Sequence, residues 1–397
     1  MPANRESNHR PIVIVGAGLA GLACAAVLAA KGLEVTLVGP PGNAGDTRTT
    51  ALLDGSIQAL AKAGIRIAGH PEAAPLRVMS IVDATQRLLR ARPIAFQAEE
   101  IGLEAFGWNI PNGALSRILQ ARLHEAGVEH LPVRVLSAEP GANGLVLKLD
   151  GQPDLAADLI VAADGRASLV RQAAGIETRS HDYPQVALAL NLKIGRTHHD
   201  ISTEFHTESG PFTLVPLPGQ RASLVWVVSP EKADELRAMD DAALSRAIEI
   251  QSHALLGHVQ VDGRRSFWPM SAVVAVTQAA DRVALIGEAA HVLPPIGAQG
   301  FNLTLRDIAA LAKCLEGTRS LEGARDPGEA SVLEAYARAR RLDIGTRHSA
   351  VDLLNRSLLS GHFPLQGLRG LGLYALERVG PLRRVMMRQG LARAAEH

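Results

Sequence analysis

The sequence of 397 residues predicts an α/β protein in which a discontinuous parallel-sheet domain receives an inserted antiparallel sheet and is followed by a helical C-terminal region. Three observations predict it. A strand, a glycine-rich turn and a helix follow one another near the N-terminus. Short strand-like runs separated by Gly, Pro and Asp fill the middle, and a second strand leading into a small-residue turn arrives only at residues 281–291. Strands that alternate with helices favour parallel pairing, whereas consecutive short strands favour an antiparallel sheet.

Composition agrees with a folded α/β chain, at 47% hydrophobic and 20% charged residues. Forty-one basic against 40 acidic side chains leave a net charge of +1, which argues against a globally basic nucleic-acid binder. Two cysteines cannot build a disulfide framework, and Cys24 and Cys314 read as small core residues with no Cys-x-x-Cys pair.

Residues 12–30 are nineteen uncharged positions that hydropathy alone would assign to a signal peptide or a membrane span. The glycine spacing reads differently. Residues 11–15 form a buried strand, Gly16-Ala17-Gly18-Leu19-Ala20-Gly21 a tight turn, 22–30 an Ala-rich helix ended by Lys31-Gly32, and 35–38 the next strand. In such a unit Gly16 permits the turn, Gly18 lets backbone approach a pyrophosphate, and Gly21 lets helix and strand pack closely. Amides at the helix N-terminus then face the phosphate charge. The acid expected about 20 residues on, to bind ribose hydroxyls, is missing. Val38 runs into Gly39-Pro40-Pro41, and Asp46 is the acid that the following loop can return to the site.

Farther on, residues 71–92 open a second domain with strands at 79–83 and 86–89. A strand at 105–110 leads to a helix at 114–126, with Leu115, Ile118, Leu119 and Leu123 on one face. Strands at 133–138, 144–149 and 157–163 follow, the last ending in an Asp164-Gly165 turn. Runs at 186–194, 201–205, 212–216 and 222–228 read as the inserted sheet, one face of which can meet a ligand. The late strand from Asp281 ends at Gly287-Glu288-Ala289-Ala290-His291, and a loop over 294–302 precedes a helix at 303–315. Small residues there let backbone approach a planar ring and its polar edge. Two nucleotide-type turns about 270 residues apart place one large cofactor across a discontinuous domain.

The chain resembles the FAD-dependent aromatic-ring monooxygenases of the para-hydroxybenzoate hydroxylase type, and among them the ubiquinone-biosynthesis ring hydroxylases. The turn Gly16–Gly21 resembles the family's FAD pyrophosphate turn, and Asp46-Thr47-Arg48 its Asp-x-Arg stretch. Asp164-Gly165-Arg166 resembles its middle Asp-Gly motif near the cofactor phosphates. The patch from Gly287 through Asn302 and on to Leu305-Arg306-Asp307 resembles its flavin-binding region.

The resemblance implies a Rossmann-like FAD domain over 1–70, 108–179 and 269–344, a substrate domain over 71–107 and 180–268, and a helical C-terminal region over 345–397. It implies FAD as cofactor and NADH or NADPH as reductant, with one oxygen atom of O2 passing to an electron-rich phenol. Gly16, Gly18, Gly21, Arg48, Asp164, Gly165, Glu288, Gly300, Phe301 and Asn302 become the cofactor-binding candidates. Pro295, which would shape the flavin pocket, His291 and Gln299 become the catalytic ones. No metal is implied, and His198-His199-Asp200 lacks a third fixed ligand. Five positions depart from the family pattern: Gly39 and Glu288 where the family usually has an acid and an Asp, Gly297 and Ala298 within its Gly-Gln-Gly loop, and Thr304 where a Gly is typical.

From Arg338 onward the chain carries eleven arginines, no lysine and four acids, interleaved with apolar runs such as 371–376. A solvated basic surface and an anionic membrane surface both suit this pattern. The resemblance implies a hydrophobic, polyprenylated phenol as substrate, reached from peripheral contact with the inner face of the membrane in a cytoplasmic protein. Two alternatives remain open on the sequence. One is a hydroxylase of a small soluble aromatic acid, with Arg196 or Arg221 as anchor; the other is a non-catalytic partner within a quinone-biosynthesis assembly.

Overall fold

The computed structural model describes residues 8–42, 46–85, 92–141, 144–294, 298–316, 326–359, 383–385 and 387–388, with side chains of the last long helix described to residue 345. The expected strand at 86–89, Pro295, Gly297 and the apolar run 371–376 lie outside the described residues.

The first sheet is built on the strand His9–Val15. It pairs in parallel with Val35–Val38 on one side and Leu155–Ala162 on the other. Val283–Leu285 extends the sheet in parallel beyond Leu155–Ala162, and Glu129–Leu131 extends it beyond Val35–Val38. Ile12, Val13, Ile14 and Val15 are all buried, the continuous apolar run expected of a strand covered on both faces. The helix Leu19–Ala30 packs on it through a buried run including Leu22, Ala25 and Leu28. Its termination follows the sequence signal, because Gly32 takes φ +71°, which few side chains tolerate.

The second sheet has eight strands, in the order His291–Val292, Val259–Ala275, Thr178–Ile194, Arg221–Val228, Pro211–Leu217, Ile201–His206, Val78–Asp83, Ile94–Gln97. It is antiparallel except between Ile201–His206 and Val78–Asp83, which run parallel. That pair joins segments far apart in the chain, so no hairpin dictates its direction. The sequence read only 186–194 of the long strand Thr178–Ile194, because a register shift between Asp182 and Val186, around Pro184, breaks the alternation. The helices Pro230–Ala238 and Asp241–Gln251 also went unread, although each has a side-chain cap: Ser229 accepts from the Lys232 amide and Asp240 from the Ala243 amide. Leu236, Leu244 and Ile248 cover one face of the sheet over Leu188, Leu190, Leu224 and Trp226.

A small third sheet, Thr49–Leu53 with Gly107–Pro111 and Ala74–Pro75, bridges the two larger ones. The late helix spans Gln299–Cys314 rather than 303–315, so Gln299, Gly300, Phe301 and Asn302 occupy its first turn and not a loop. A final helix runs over Ala330–Leu359. Among the described residues no helix is long and apolar enough to cross a membrane.

Candidate active site

Three turns separated by more than a hundred residues meet at the carboxyl edge of the parallel sheet. Val15 is the register partner of Ala162, and Ala162 of Leu285. The Ala163 amide donates to Val15 O (2.8 Å), the Ile286 amide to Ala162 O (3.0 Å) and the Gly16 amide to Val38 O (2.7 Å). Gly16–Gly21, Asp164-Gly165 and Gly287-Glu288 therefore share the rim where ligands bind in open α/β sheets.

The glycines at this rim divide into two kinds. A Cβ on Gly16 would lie 2.4 Å from Ala163 O, at a φ of +108°, and one on Gly21 would lie 1.8 Å from Gly16 O. Those two are required by the fold itself. Gly18, at φ −77°, has an ordinary backbone, and a Cβ there would meet nothing within 4 Å. The same open space surrounds Gly300, and also Gly165, whose φ of +84° already favours glycine. Nothing in the chain demands a glycine at 18, yet a phosphate seated on the uncapped first turn of Leu19–Ala30 would. Asp164 adds an orphan: its Oδ2 accepts from the Val170 amide at 3.3 Å while its Oδ1 is buried without a partner. Burial pushes the Asp164 carboxyl above its ordinary pKa, partly offset by hydrogen bonds from Ser168 and the following amides. These residues fit the diphosphate and hydroxyl-rich linker of FAD.

Two departures from the family pattern have local reasons. Gly39 takes φ +149° with a virtual Cβ 2.8 Å from the Ala17 amide nitrogen, so an acid at 39 would collide with the glycine turn. Thr304 packs its side chain 3.2 Å from the virtual Cβ of Gly287 and donates to Gly300 O at 3.3 Å, filling space inside its helix. Asp46, by contrast, does not take over the ribose role expected of it. Its carboxylate accepts from Arg48 Nε (2.9 Å), Arg48 Nη2 (2.7 Å) and Asn112 Nδ2 (3.0 Å), and is fully committed to holding Arg48.

Arg48 is in turn held between partners distant in sequence. Its guanidinium lies 5.4 Å from the Trp268 ring centroid. The hydrogen bond to Asp46 raises the Arg48 pKa against the opposing effect of burial, and the charges of Asp46 and Glu288 add to it. The structure thus brings Arg48 and Glu288, two of the expected cofactor residues, to one place. Replacing Arg48 with Ala should weaken flavin binding by about 10- to 100-fold, the range for losing one charge-assisted hydrogen bond, as read by fluorescence titration of the apoprotein with FAD.

The helix Gln299–Cys314 presents its first turn to the same rim, but not in the manner expected. Asn302 Oδ1 accepts from the Leu53 amide (2.9 Å), and its Nδ2 donates to Ala51 O (2.8 Å) and Ala298 O (2.6 Å). That side chain clamps the bridging strand Thr49–Leu53, with both of its amide hydrogens spent and one acceptor lone pair on Oδ1 left over. Phe301 packs its ring against the hydrophobic core of the parallel-sheet domain. Gly300 is exposed and half-buried Gln299 adjoins it.

His291 lies behind the rim. Its Nε2 meets Asp307 Oδ2 at 2.7 Å, with 2% and 0% side-chain exposure. Asp307 also accepts from the Gly287 amide (3.0 Å) and from Arg340 Nε (2.7 Å), and Tyr336 donates its hydroxyl to Leu285 O (2.7 Å). This buried cluster pins the Gly287 turn from beneath. Arg340, counted by sequence into the basic C-terminal surface, is an internal residue with 4% side-chain exposure. Neither Arg340 nor Trp268 carried a local sequence signal.

The rim meets the side of the second sheet opposite the helices Pro230–Ala238 and Asp241–Gln251. Asn191 Nδ2 donates to Thr47 O (2.8 Å), and Ser223 Oγ accepts from Thr49 Oγ1 (3.0 Å) and Asn109 Nδ2 (3.3 Å). One row of this face, Ser266, Ala189, Val225, Thr213, Glu204 and Ile81, is half-buried throughout, although it crosses the middle of the sheet. The row starts beside Trp268, the partner of Arg48, and ends at Ile81, which packs against the cluster of Phe96 and Phe106; it is the candidate floor of a substrate cleft.

The protein family described as FAD binding domain matches residues 9–347. The chain belongs to this family. FAD is its cofactor, in keeping with the empty space over Gly18 and the orphan oxygen of Asp164. The chain is 32% identical over 390 residues to ubiquinone hydroxylase UbiL of Rhodospirillum rubrum, covering 96% of this chain and 89% of the relative. It is 30% identical over 402 residues to 3-demethoxyubiquinol 3-hydroxylase of Escherichia coli, covering 96% and 98%. In fold it is similar to p-nitrophenol 4-monooxygenase PnpA of Pseudomonas putida, with a TM-score of 0.78, 17% identity and coverage of 96% and 98%. It is likewise similar to pqsL of Pseudomonas aeruginosa, a probable FAD-dependent monooxygenase, with a TM-score of 0.75, 23% identity and coverage of 92% and 100%.

Within this FAD-binding family member the Asp46–Arg48 pair also predicts a pH effect. Burial raises the Asp46 carboxyl, but hydrogen bonds from Arg48, Asn112 and the Arg48 amide outweigh it and leave the pKa below the ordinary 3.8. A group depressed in the folded state stabilises above its unfolded pKa and loses that contribution as pH falls through the folded value. The melting-temperature gap between wild type and Asp46→Asn should therefore be constant at neutral pH and close only below about pH 4. A gap that closed near pH 6 would contradict this.

Proposed function

We propose that the protein is an FAD-dependent monooxygenase that uses NADH or NADPH and O2 to hydroxylate the ring of a hydrophobic, polyprenylated phenol in ubiquinone biosynthesis. The observation that carries this reading is the meeting of the three-turn rim with a half-buried row of the second sheet, in a chain whose relatives, matched over most of their length, are named as ubiquinone and demethoxyubiquinol hydroxylases. Bound FAD supplies the activation of oxygen that protein side chains cannot.

The chain's own residues bind, orient and exclude water. Gly16, Gly18 and Gly21 with the first turn of Leu19–Ala30 hold the diphosphate, and Asp164 with Gly165 approaches it from the next strand. Arg48 and Glu288 flank the linker to the ring, while the first turn of Gln299–Cys314, through Gln299 and Gly300, meets the ring edge. Pro295 retains its proposed role in shaping the pocket. Asn302, Phe301 and His291 are positioning residues: the first fixes the strand that follows Arg48, the second the helix, the third the Gly287 turn. None of the three needs to touch the reacting atoms.

A small aromatic acid is the poorer substrate, because Arg221 is occupied by Asp262 (2.8 Å) and Arg196 lies beyond the strand end, outside the cleft floor. The Arg-rich C-terminal region supports peripheral contact with an anionic membrane surface, and with partner proteins of the pathway, as part of the same proposal. The test is the visible spectrum and flavin content of the purified protein, followed by product analysis with NADH or NADPH and a prenylated phenol. Stoichiometric FAD with a product heavier by one oxygen atom supports the reading. A folded protein that binds no FAD, or one that oxidises NAD(P)H without forming product, overturns it in favour of a non-catalytic partner.

A further inference from the structure

The cleft floor is apolar at Ala189, Val225 and Ile81, with one strongly polar group set into it. Register fixes where that group points. Glu204 pairs with Thr213 and Thr213 with Val225, so all three share a face. Val225 stands two residues from Ser223, the side chain that contacts Thr49 and Asn109 of the bridging sheet. Phe205, between Glu204 and His206, points the opposite way into the helix-covered core with Phe212 and Trp226. Glu204 and His206 thus stand on the face turned toward the cofactor domain. Two strand spacings and one two-residue step separate Glu204 from Ser223, about 12 Å.

The carboxylate is held rather than merely exposed. His206 Nε2 donates to Glu204 Oε1 at 2.8 Å, and Thr213 Oγ1 donates to Glu204 Oε2 at 3.3 Å. Glu204 keeps 19% side-chain exposure and His206 5%. His206 Nδ1 is buried without a partner, an arrangement that costs free energy and that sheet stability does not call for. Both carboxylate oxygens retain an acceptor lone pair. An oriented carboxylate, the one charged group in a row that also carries Ala189, Val225 and Ile81, is what fixes a ring bearing one hydroxyl.

We propose that Glu204, oriented by His206 and Thr213, accepts the hydrogen bond of the substrate's ring hydroxyl and selects an uncharged phenol over its ethers and over aromatic acids. The proposal rests on the monooxygenase reading. A hydroxyl donating to a carboxylate gains electron density on its oxygen and passes it to the ring, which favours attack on an electrophilic oxygen. The same negative charge repels a ring carboxylate, in accord with the absence of an available arginine on the described cleft floor.

The test uses the FAD-loaded full chain with 2-geranylphenol and its O-methyl ether as probes. Binding is read as perturbation of the flavin absorbance, and turnover as hydroxylated product per NADPH consumed. Wild type should prefer the phenol over the ether, and Glu204→Gln should lower kcat/KM for the phenol by about 10- to 100-fold while leaving the ether nearly unaffected. Flavin content should be unchanged. Thr213→Val, which removes one of the two hydrogen bonds holding the carboxylate, should reduce the preference by a smaller factor and decides the matter if the first variant folds poorly. A Glu204→Gln enzyme with wild-type preference overturns the role of Glu204 and leaves the monooxygenase reading standing. A flavin-loaded wild type that neither binds nor hydroxylates the phenol overturns both.

Discussion

Asp307→Ala is expected to destabilise the protein by about 3–5 kcal/mol, the range for breaking a buried ion pair from one side. Asp307 is fully buried, and its carboxylate is the acceptor for Arg340, His291 and the Gly287 amide. Removing it leaves a guanidinium with 4% exposure dependent on Asp343 alone, through Nη1 (2.7 Å), while Nη2 already lacks a partner. The Gly287 turn loses its support in the same step, so flavin should dissociate at lower denaturant than the point of global unfolding. Urea unfolding, followed by circular dichroism and by flavin fluorescence in parallel, reads both. Arg340→Met in the same background should recover part of the loss, since the poorly compensated buried guanidinium would then be gone. Purely additive effects of the two substitutions would show that the pair is not coupled and that the cluster does not act as a unit.

Gly18→Val has the opposite profile: a folded protein without cofactor. The backbone at 18 lies in a region open to any residue, and no protein atom stands within 4 Å of the added Cβ. The melting temperature of the apoprotein should therefore stay within about 0.5 kcal/mol equivalent of wild type, as for surface substitutions. The isopropyl group would occupy the space over the helix N-terminus where the diphosphate must approach, and flavin content after purification should fall to near zero. Gly21→Ala serves as the contrast, because its methyl would collide with Gly16 O and disturb the turn itself. If Gly18→Val retained stoichiometric FAD, the space over Gly18 would not be the phosphate site.

Much of this arrangement is legible in local sequence, and the parts that are not share a cause. Gly16, Gly18 and Gly21 announce themselves because a strand, a turn and a helix lie within a few residues of one another. Asp164-Gly165 and Gly287-Glu288 are readable as turns after apolar strands, though their convergence on one rim follows only from the order of strands in the sheet. What sequence could not supply is how polar side chains spend their hydrogen bonds. Asn302 and Asp46 stand in cofactor motifs, yet the first clamps strand Thr49–Leu53 and the second holds Arg48. Trp268 reaches Arg48 from a strand that no hydrophobic alternation revealed, and Arg340 looks like one more surface arginine until Asp307 is found beneath it. Glu204 and His206 were invisible for a further reason: alternation places them on the polar side of a strand, and only the packing of its neighbours shows that this side faces a cleft rather than bulk water.

The cluster under the Gly287 turn has a consequence for how the chain is made. Its members are Asp307, His291 and Arg340, while the strand at the centre of the sheet is His9–Val15. A ribosome adding about 5–20 residues per second needs roughly 15–65 s to travel from the first glycine turn to Arg340. For most of that interval the nascent domain lacks the strand Val283–Leu285 and the helix Gln299–Cys314, and until its end it lacks the counter-charge of its buried acid. Residues such as Leu22 and Leu28, buried in the finished protein, emerge early and wait longest for their neighbours. Chains released short of Arg340 should consequently partition to chaperones and proteases rather than accumulate as partial flavoproteins, and productive loading with FAD becomes an event that follows translation instead of accompanying it.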